Sequence, residues 1–412
     1  MRHILRALRH RNYRLYFVGQ GVSLVGTWMQ TLAMSWLVYR LTKSTVLMGT
    51  VGFFSQIPSL VMTPLAGALA DRGNRLRKLI IIQALAMLQA FILAFLVLTG
   101  RIEVWHILLL SAFLGCITAF DIPTRQSFVI EMIEQREDLG NAIALNSSLV
   151  NGARLVGPSI AGIMIAVIGE GACFFLNGVS YLAVLGALLA MRMRPGERIS
   201  RRSRIFGEIR EGFAYAFSFS PIRSLLSLLA LMSLTAISYQ VLMPVFAGEV
   251  LHGGPNTLGF LMGFSGVGAL TGSVYLASRR NVRGLGKVIV TAALVFGSGV
   301  IAFSFSRHLW ISMLLMIFIG FGIMVQMAAC NTILQTIVDD DKRGRVMSLF
   351  TMAFMGTTPF GSLFAGWLAS KIGAPHTVLT AGICAISGSL FFAGRLDGLR
   401  ERVRPIYEAK GI

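Results

Sequence analysis

Charge is what this chain has least of. Of its 412 residues, 13% are Asp, Glu, Lys or Arg, about half the roughly 25% of a soluble domain, and mean hydropathy is +0.71. A surface so poor in charge belongs in a bilayer, which excludes soluble enzymes and soluble binding modules. Acids are the scarcer sign, 18 against 37 bases. No carboxylate falls deep in an apolar run, so the usual mark of a membrane-buried proton relay is missing. Cysteine is also rare: Cys116, Cys173, Cys330 and Cys384 lie in or at the edge of apolar runs without metal-ligand spacing, so they read as small core residues and no metal is expected. The phosphate loop G-x-x-x-x-G-K-[ST] is absent, which speaks against ATP drive within the chain, and no cofactor is expected. The bases do not interleave with stacking aromatics, so the +19 charge is not a nucleic-acid footprint.

What is present is apolar length. Twelve runs each suffice for the roughly 20 helical residues that cross a bilayer core. They start near Leu15, Val46, Leu79, Trp105, Ala142, Ala172, Ile222, Leu258, Val288, Leu309, Val346 and Thr377. Helix is the expected element, because a backbone in lipid must satisfy its own polar groups and no run shows the alternation of a barrel strand. The opening "MRHILRALRHRNYR" resembles a signal-peptide n-region. The run behind it is too long and too polar for cleavage, so it is expected to stay attached. Of the 37 Lys and Arg, 31 fall in the N-terminal segment, alternate loops and the tail. Five lie in the opposite loops (Arg40, Lys43, Arg101, Arg307, Lys371), and Arg154 lies inside a run. This bias predicts a multi-pass protein of a bacterial-type inner (plasma) membrane with both termini cytoplasmic, the bilayer's anionic lipid being a second partner for the bases.

Residues 192–221, "RMRPGERISRRSRIFGEIREGFAYAFSFSP", form the longest polar stretch. Ile205, Ile209, Phe213 and Phe217 recur there every four residues, the pattern of a helix lying on the inner membrane surface. This seam predicts a six-helix bundle over 1–191, a basic linker with interfacial helix over 192–221, a second six-helix bundle over 222–394 and a cytoplasmic tail over 395–412. The halves echo each other: Pro158 follows "EQREDLGN" and Pro359 follows "DDDKRGR". Two such halves suit a rocking carrier with its substrate site between them.

The fifth run is the most unusual. Ser147, Asn151, Arg154 and Pro158 share one helical face, and Pro158 leaves the Arg154 carbonyl without its helical donor, which predicts a kink. Ala153, Gly157 and Ala161 form a stripe that permits close helix contact. Arg154 lies about 18 Å along the helix from Ala142, a depth where arginine costs about 2.5–3.5 kcal/mol and must face a wet cavity or a partner. In the first run Gln20, Ser23, Thr27, Gln30 and Thr31 form a polar stripe reaching the same depth. The expectation is a substrate cavity lined by Gln20, Thr27, Gln30, Asn151 and Arg154. Asp121, placed about 6 Å from the inner end of the fourth helix, is expected to pair at that cytoplasmic end with Arg125 one turn on.

Two motifs carry a family resemblance. "GALADRGNRLRKL", residues 67–79, resembles the major facilitator superfamily loop signature G-x-x-x-D-R-x-G-R-R, with Asn74 and Leu76 as departures; Asn tolerates the left-handed turn of the missing glycine. The corresponding turn "YLASRRNVRGLGK" keeps the bases but lacks the acid. Residues 121–162, "DIPTRQSFVIEMIEQREDLGNAIALNSSLVNGARLVGPSIAG", resemble the exporter branch that includes enterobactin exporters and macrolide-type efflux proteins (drug:proton antiporters, transmembrane secretion effectors). The resemblance implies an all-α membrane fold of twelve helices in two pseudo-symmetric six-helix bundles, with secondary active transport by alternating access. It also implies export of amphipathic drug- or siderophore-type molecules, with the proton as a second partner and Asp71, Asp121 and Glu249 as candidate acids. Gly67, Asp71, Arg72 and Arg75 would form a conformational latch, and Gly157, Pro158 and Gly162 match part of a glycine-rich antiporter motif. The superfamily's R-x-x-Q-G motif in the fourth helix is missing: Ser111 and Leu114 hold its positions. A monomer is expected. An importer or uniporter of a small metabolite stays open on the same fold. A membrane-embedded enzyme would have to work with Glu103, Glu170 and Glu249, which are widely separated, so no enzyme is expected.

Overall fold

The computed structural model of the chain describes residues 5–70, 73–133, 135–192, 205–279, 281–339 and 342–410. Among them no strand forms; the backbone closes its own hydrogen bonds as helices, as apolar surroundings require. The first six are α1 (Arg11–Thr42), α2 (Thr45–Ala70), α3 (Arg75–Leu98), α4 (Val104–Glu131), α5 (Leu139–Ile168) and α6 (Glu170–Leu189). A connecting helix, α7 (Ile205–Ser218), follows. Next come α8 (Ser220–Val250), α9 (Pro255–Ala277), α10 (Leu285–Phe305), α11 (Leu309–Ile337), α12 (Arg343–Ile372) and α13 (Ala374–Gly394), and then α14 (Leu396–Ala409). Eleven of these are long and apolar enough to cross a membrane. The remaining one of spanning length, α1, is diluted by its polar stripe. Every one of the twelve expected runs is therefore a helix.

Local chemistry sets the boundaries. Gly73 takes the left-handed conformation (φ 77°) between α2 and α3, which glycine does at no steric cost. Asn74 was expected to make that turn; instead it is extended (φ −83°) and caps α3, its side chain accepting from the Arg77 amide at 3.1 Å. The fourth helix overruns its expected end, passing Pro123 and continuing to Glu131. Asp121 thus lies about 15 Å, ten residues, inside α4 rather than near its end, because Arg125 and the residues after it extend the helix despite their polarity. α5 likewise continues through Pro158.

Two helices depart from the α register. α8 contains π-turns at Met232–Ala236 and Phe246–Val250 around a 3₁₀ stretch, Ile237–Leu242, and α12 has a π-turn at Met352–Gly356. Pro359 gives no N–H to the turn before it. Two hydroxyls donate to the Phe354 carbonyl: Thr358 at 2.7 Å and, from α8, Ser233.

The chain divides into two compact units. The first contains Met1–Lys43, Phe54–Arg202 and Gly253–Gly263; in it α1 packs on α5 and α6, and α3 on α4 and α6. Glycine permits the closest approach, for a Cβ on Gly19 would stand 2.9 Å from the Ala183 carbonyl oxygen. The second contains Ser44–Phe53, Ser203–His252 and Phe264–Ile412, with α10 packed on α11 and α13.

Candidate functional site

Three amides that interrupt the apolar helices of the first unit meet in one chain. Asn177 Nδ2 on α6 donates to Gln30 Oε1 on α1 at 2.8 Å, and Gln30 Nε2 donates to Gln89 Oε1 on α3 at 2.9 Å. Gln89 Nε2 then donates to the Leu110 carbonyl on α4 at 3.2 Å. All three amides are buried. Gly26 makes the room: a Cβ there would lie 2.6 Å from both Asn177 Oδ1 and Ser180 Oγ. Gln30, expected in the cavity, is therefore used inside the bundle, and Gln20 is buried as well. Ser23 and Gln30 occupy the side of α1 that carries Gly19 and Gly26 and faces α6, so the stripe is split between interior and open faces. Sequence reasoning missed Gln83, Gln89 and Asn177; their signal was a lone amide within an apolar run.

Replacing Gln89 or Asn177 with Leu is expected to cost about 1 kcal/mol. That value lies between the ~0.6 kcal/mol average for membrane interhelical hydrogen bonds and the cost of an orphaned partner. The readout is a lower melting temperature in detergent. Leu at all three amide positions should recover most of the loss, because no donor is then left unpaired.

Arg154 sits midway along α5, half-buried, with its guanidinium carbon 5.6 Å from the centroid of the Trp28 ring on α1. Gly157 brings these helices together, since a Cβ on it would stand 2.6 Å from Trp28 Cβ and 3.0 Å from the Val25 carbonyl. Ala153 and Ala161, on the same stripe, are buried. The α1 neighbour of the arginine is thus an aromatic face, an attraction of about 0.5–2 kcal/mol. Thr27 and Asn151 are half-buried and bond to their own helices, Thr27 Oγ1 to the Ser23 carbonyl at 3.0 Å and Asn151 Nδ2 to the Ser147 carbonyl at 3.0 Å. The partly accessible group is Thr27, Trp28, Asn151 and Arg154.

Asp121 is enclosed in the same unit. Its Oδ1 accepts from Gln83 Nε2 on α3 at 2.9 Å, and its Oδ2 pairs with Arg125. Arg75 at the start of α3 pairs with Glu131 at the end of α4. Gly67 falls within α2, while Asp71 and Arg72 lie outside the described residues. Glu170, read from sequence as an isolated acid, is buried and bound by both Nε (2.7 Å) and Nη2 (3.3 Å) of Arg40. Glu249 is exposed.

Gly162 lies on another face of α5 from Gly157. A Cβ on Gly162 would meet the Pro255 carbonyl at 2.7 Å and Gly259 Cα at 2.9 Å, and one on Gly259 would meet the Pro158 carbonyl at 2.6 Å and Gly162 Cα at 2.9 Å. The second unit repeats this crossing where α12 meets α2. A Cβ on Gly49 would meet the Ser362 carbonyl at 2.5 Å and Gly366 Cα at 3.1 Å, and one on Gly366 would meet the Thr45 carbonyl and Gly49 Cα. In both crossings each glycine sits under the carbonyl four residues before its partner glycine. These two glycine clasps join the first turns of α9 and α2 to the far halves of α5 and α12.

A family model described as "Transmembrane secretion effector" matches residues 4–405. The chain belongs to this family of the major facilitator superfamily. The chain is 23% identical to the staphyloferrin A transporter of Staphylococcus aureus (strain NCTC 8325 / PS 47), over 92% of its length and 95% of that protein's. It is 24% identical to the multidrug efflux pump Tap of Mycolicibacterium fortuitum, over 89% of each chain. Macrolide efflux protein A of Streptococcus pyogenes is 22% identical over 92% and 95%. Among solved structures, a POT family transporter in complex with 5-aminolevulinic acid aligns with TM-score 0.74 at 13% identity, over 94% of this chain and 96% of that one. The nucleoside transporter NupG aligns with TM-score 0.71 at 14% identity, over 94% and 99%. These likenesses establish the fold. The protein is a multi-pass membrane transporter with the all-α fold of its superfamily.

Proposed function

We propose that this protein exports amphipathic small molecules of the drug or siderophore kind by alternating access, in exchange for protons. The reading is carried by relatedness across 89–92% of the chain to proteins named for staphyloferrin A transport and for multidrug and macrolide efflux. The base distribution supports a reading with both termini on the cytoplasmic side of a bacterial inner membrane, the chain working as a monomer. Thr27, Trp28, Asn151 and Arg154 contact the cargo: the indole offers an apolar face, and the guanidinium attracts an anionic or strongly hydrogen-bonding group. Asp121 carries the proton, because it is a buried carboxylate inside a helix with a neutral amide and a cation as its two ligands. The glycine clasps close the outer side by letting backbones touch, while Asp71, Arg72 and Arg75 latch the inner side.

The test is a pH-sensitive dye in inverted vesicles that hold an imposed proton gradient, challenged with a panel of macrolides, siderophores and other amphipathic compounds. Gradient dissipation by a subset is expected. Silence toward all of them, with labelled metabolite accumulating in whole cells, would replace export by import. Arg154→Gln is expected to lower transport of anionic members of the panel about tenfold, the loss of roughly 1.4 kcal/mol of cargo contact, and to leave neutral members within about twofold. Unchanged rates and selectivity at normal membrane abundance would remove the arginine from the cargo site.

A further inference from the structure

α7 is held on one side and bare on the other. Glu211 pairs with Arg345 (2.6 Å). The Tyr215 hydroxyl donates to Asp339 Oδ2 at 3.2 Å, and Lys342 Nζ lies 4.5 Å from the Tyr215 ring centroid. Ala216 is buried. These contacts fasten α7 to the turn after α11 and to the first turn of α12, within the second unit. Away from them Phe213 and Phe217, one turn apart, stack at 5.9 Å and 19°, yet stay 39% and 50% exposed. The exposed Arg223 reaches the Phe217 carbonyl with Nη1 at 3.4 Å, which sets a cation beside the aromatic pair. Immediately before α7 the sequence "RMRPGERISRRSR" carries six arginines and one glutamate.

Paired rings left partly exposed among the described residues, on a helix that follows an arginine-rich stretch of sequence, match one surface in chemistry: a leaflet containing anionic phospholipid. There the rings enter the boundary between headgroups and acyl chains while bases approach the phosphates. A protein partner would have to bring acids of its own against these bases, since Glu211 is already paired with Arg345 on the opposite side.

We propose that α7 docks on the anionic inner leaflet through Phe213, Phe217 and Arg223, so that lipid composition bears on the start of α12 through the Glu211–Arg345 and Tyr215–Asp339 contacts. The docking is independent of the cargo and of proton coupling.

The test uses the full chain with its four cysteines replaced, a bimane label at Phe217→Cys and, as a second position, at Phe213→Cys. The protein is reconstituted in vesicles of phosphatidylcholine alone or with an equal part of phosphatidylglycerol. Expected are blue-shifted emission and quenching by a nitroxide on a shallow acyl carbon, both stronger with phosphatidylglycerol and weaker in high salt. Arg223→Gln should shrink the phosphatidylglycerol-dependent increment about fivefold, the effect of one base near an anionic surface. Quenching by aqueous iodide at both positions, with the same emission in both vesicle types, would overturn the proposal. So would lipid quenching that phosphatidylglycerol does not change.

Discussion

Valine at Gly162 or at Gly49 is expected to abolish net transport while the protein still reaches the membrane. Each substitution sets a Cβ within 2.7 Å of a carbonyl oxygen on the neighbouring helix, Pro255 for Gly162 and Ser362 for Gly49. A helix backbone cannot step aside as a flexible side chain would. Overpacking of this kind costs about 1–3 kcal/mol, which shifts a two-state equilibrium away from the clasped conformation about 5- to 150-fold. A carrier that cannot seal one side completes no cycle. Thiol reagents applied from the outer side should label cysteines placed in the first turns of α2 or α9 much faster in these variants. Gly186→Ala is the control: a Cβ there meets nothing within 4 Å, and Ala in a helix interior gains roughly 0.5–1 kcal/mol over Gly. Its transport should be normal. Normal transport by Gly162→Val and Gly49→Val would show that the crossings stay loose throughout the cycle.

Asp121→Asn is expected to end gradient-driven efflux but spare exchange of labelled for unlabelled cargo. The amide oxygen can still accept from Gln83, so the group keeps its shape and one of its two ligands. What disappears is the ionisable oxygen facing Arg125, and with it the proposed proton carrier. Removing one partner of a buried ion pair costs about 3–5 kcal/mol. Here the penalty falls below that range, because the Arg125 side chain is 22% exposed and can reach water. The variant should fold. Gradient-driven accumulation in inverted vesicles should fall to background, with exchange within about twofold of the parent protein. Retained accumulation would take the proton away from Asp121.

The helices were legible because lipid leaves the backbone only the helix or the closed barrel, and continuous apolar length without alternation selects and counts helices. Polarity within a helix was harder to assign. Gln30 and Thr27 look alike in a sequence stripe, but three positions turn one toward α6, where Asn177 waits, and leave the other partly accessible. The partner amides are 59 and 147 residues away, and no local pattern announces a contact over that distance. The depth of Asp121 differs from the expected one because the structure carries α4 past Pro123 and on to Glu131, which apolar length alone does not reveal. At the loop before α3, Gly73 took the left-handed turn and released Asn74 for the cap. The glycine crossings were half visible. Gly162 stood out beside Pro158, but Gly49 and Gly259 gave no hint of being under a carbonyl, since close approach belongs to two helices at once.

The row of amides from Asn177 through Gln30 and Gln89 to Leu110 has a direction, every nitrogen pointing from α6 toward α4. Turning over any one carboxamide would set like against like, oxygen on oxygen for Asn177 and nitrogen on nitrogen for Gln30 or Gln89, and sliding a helix by one turn, about 5.4 Å, would strand its neighbours. During biogenesis the helix bearing Asn177 arrives last of the four. Until it docks, Gln30 lacks its donor, so the half-built bundle carries a molecular signature of incompleteness that vanishes only on correct assembly.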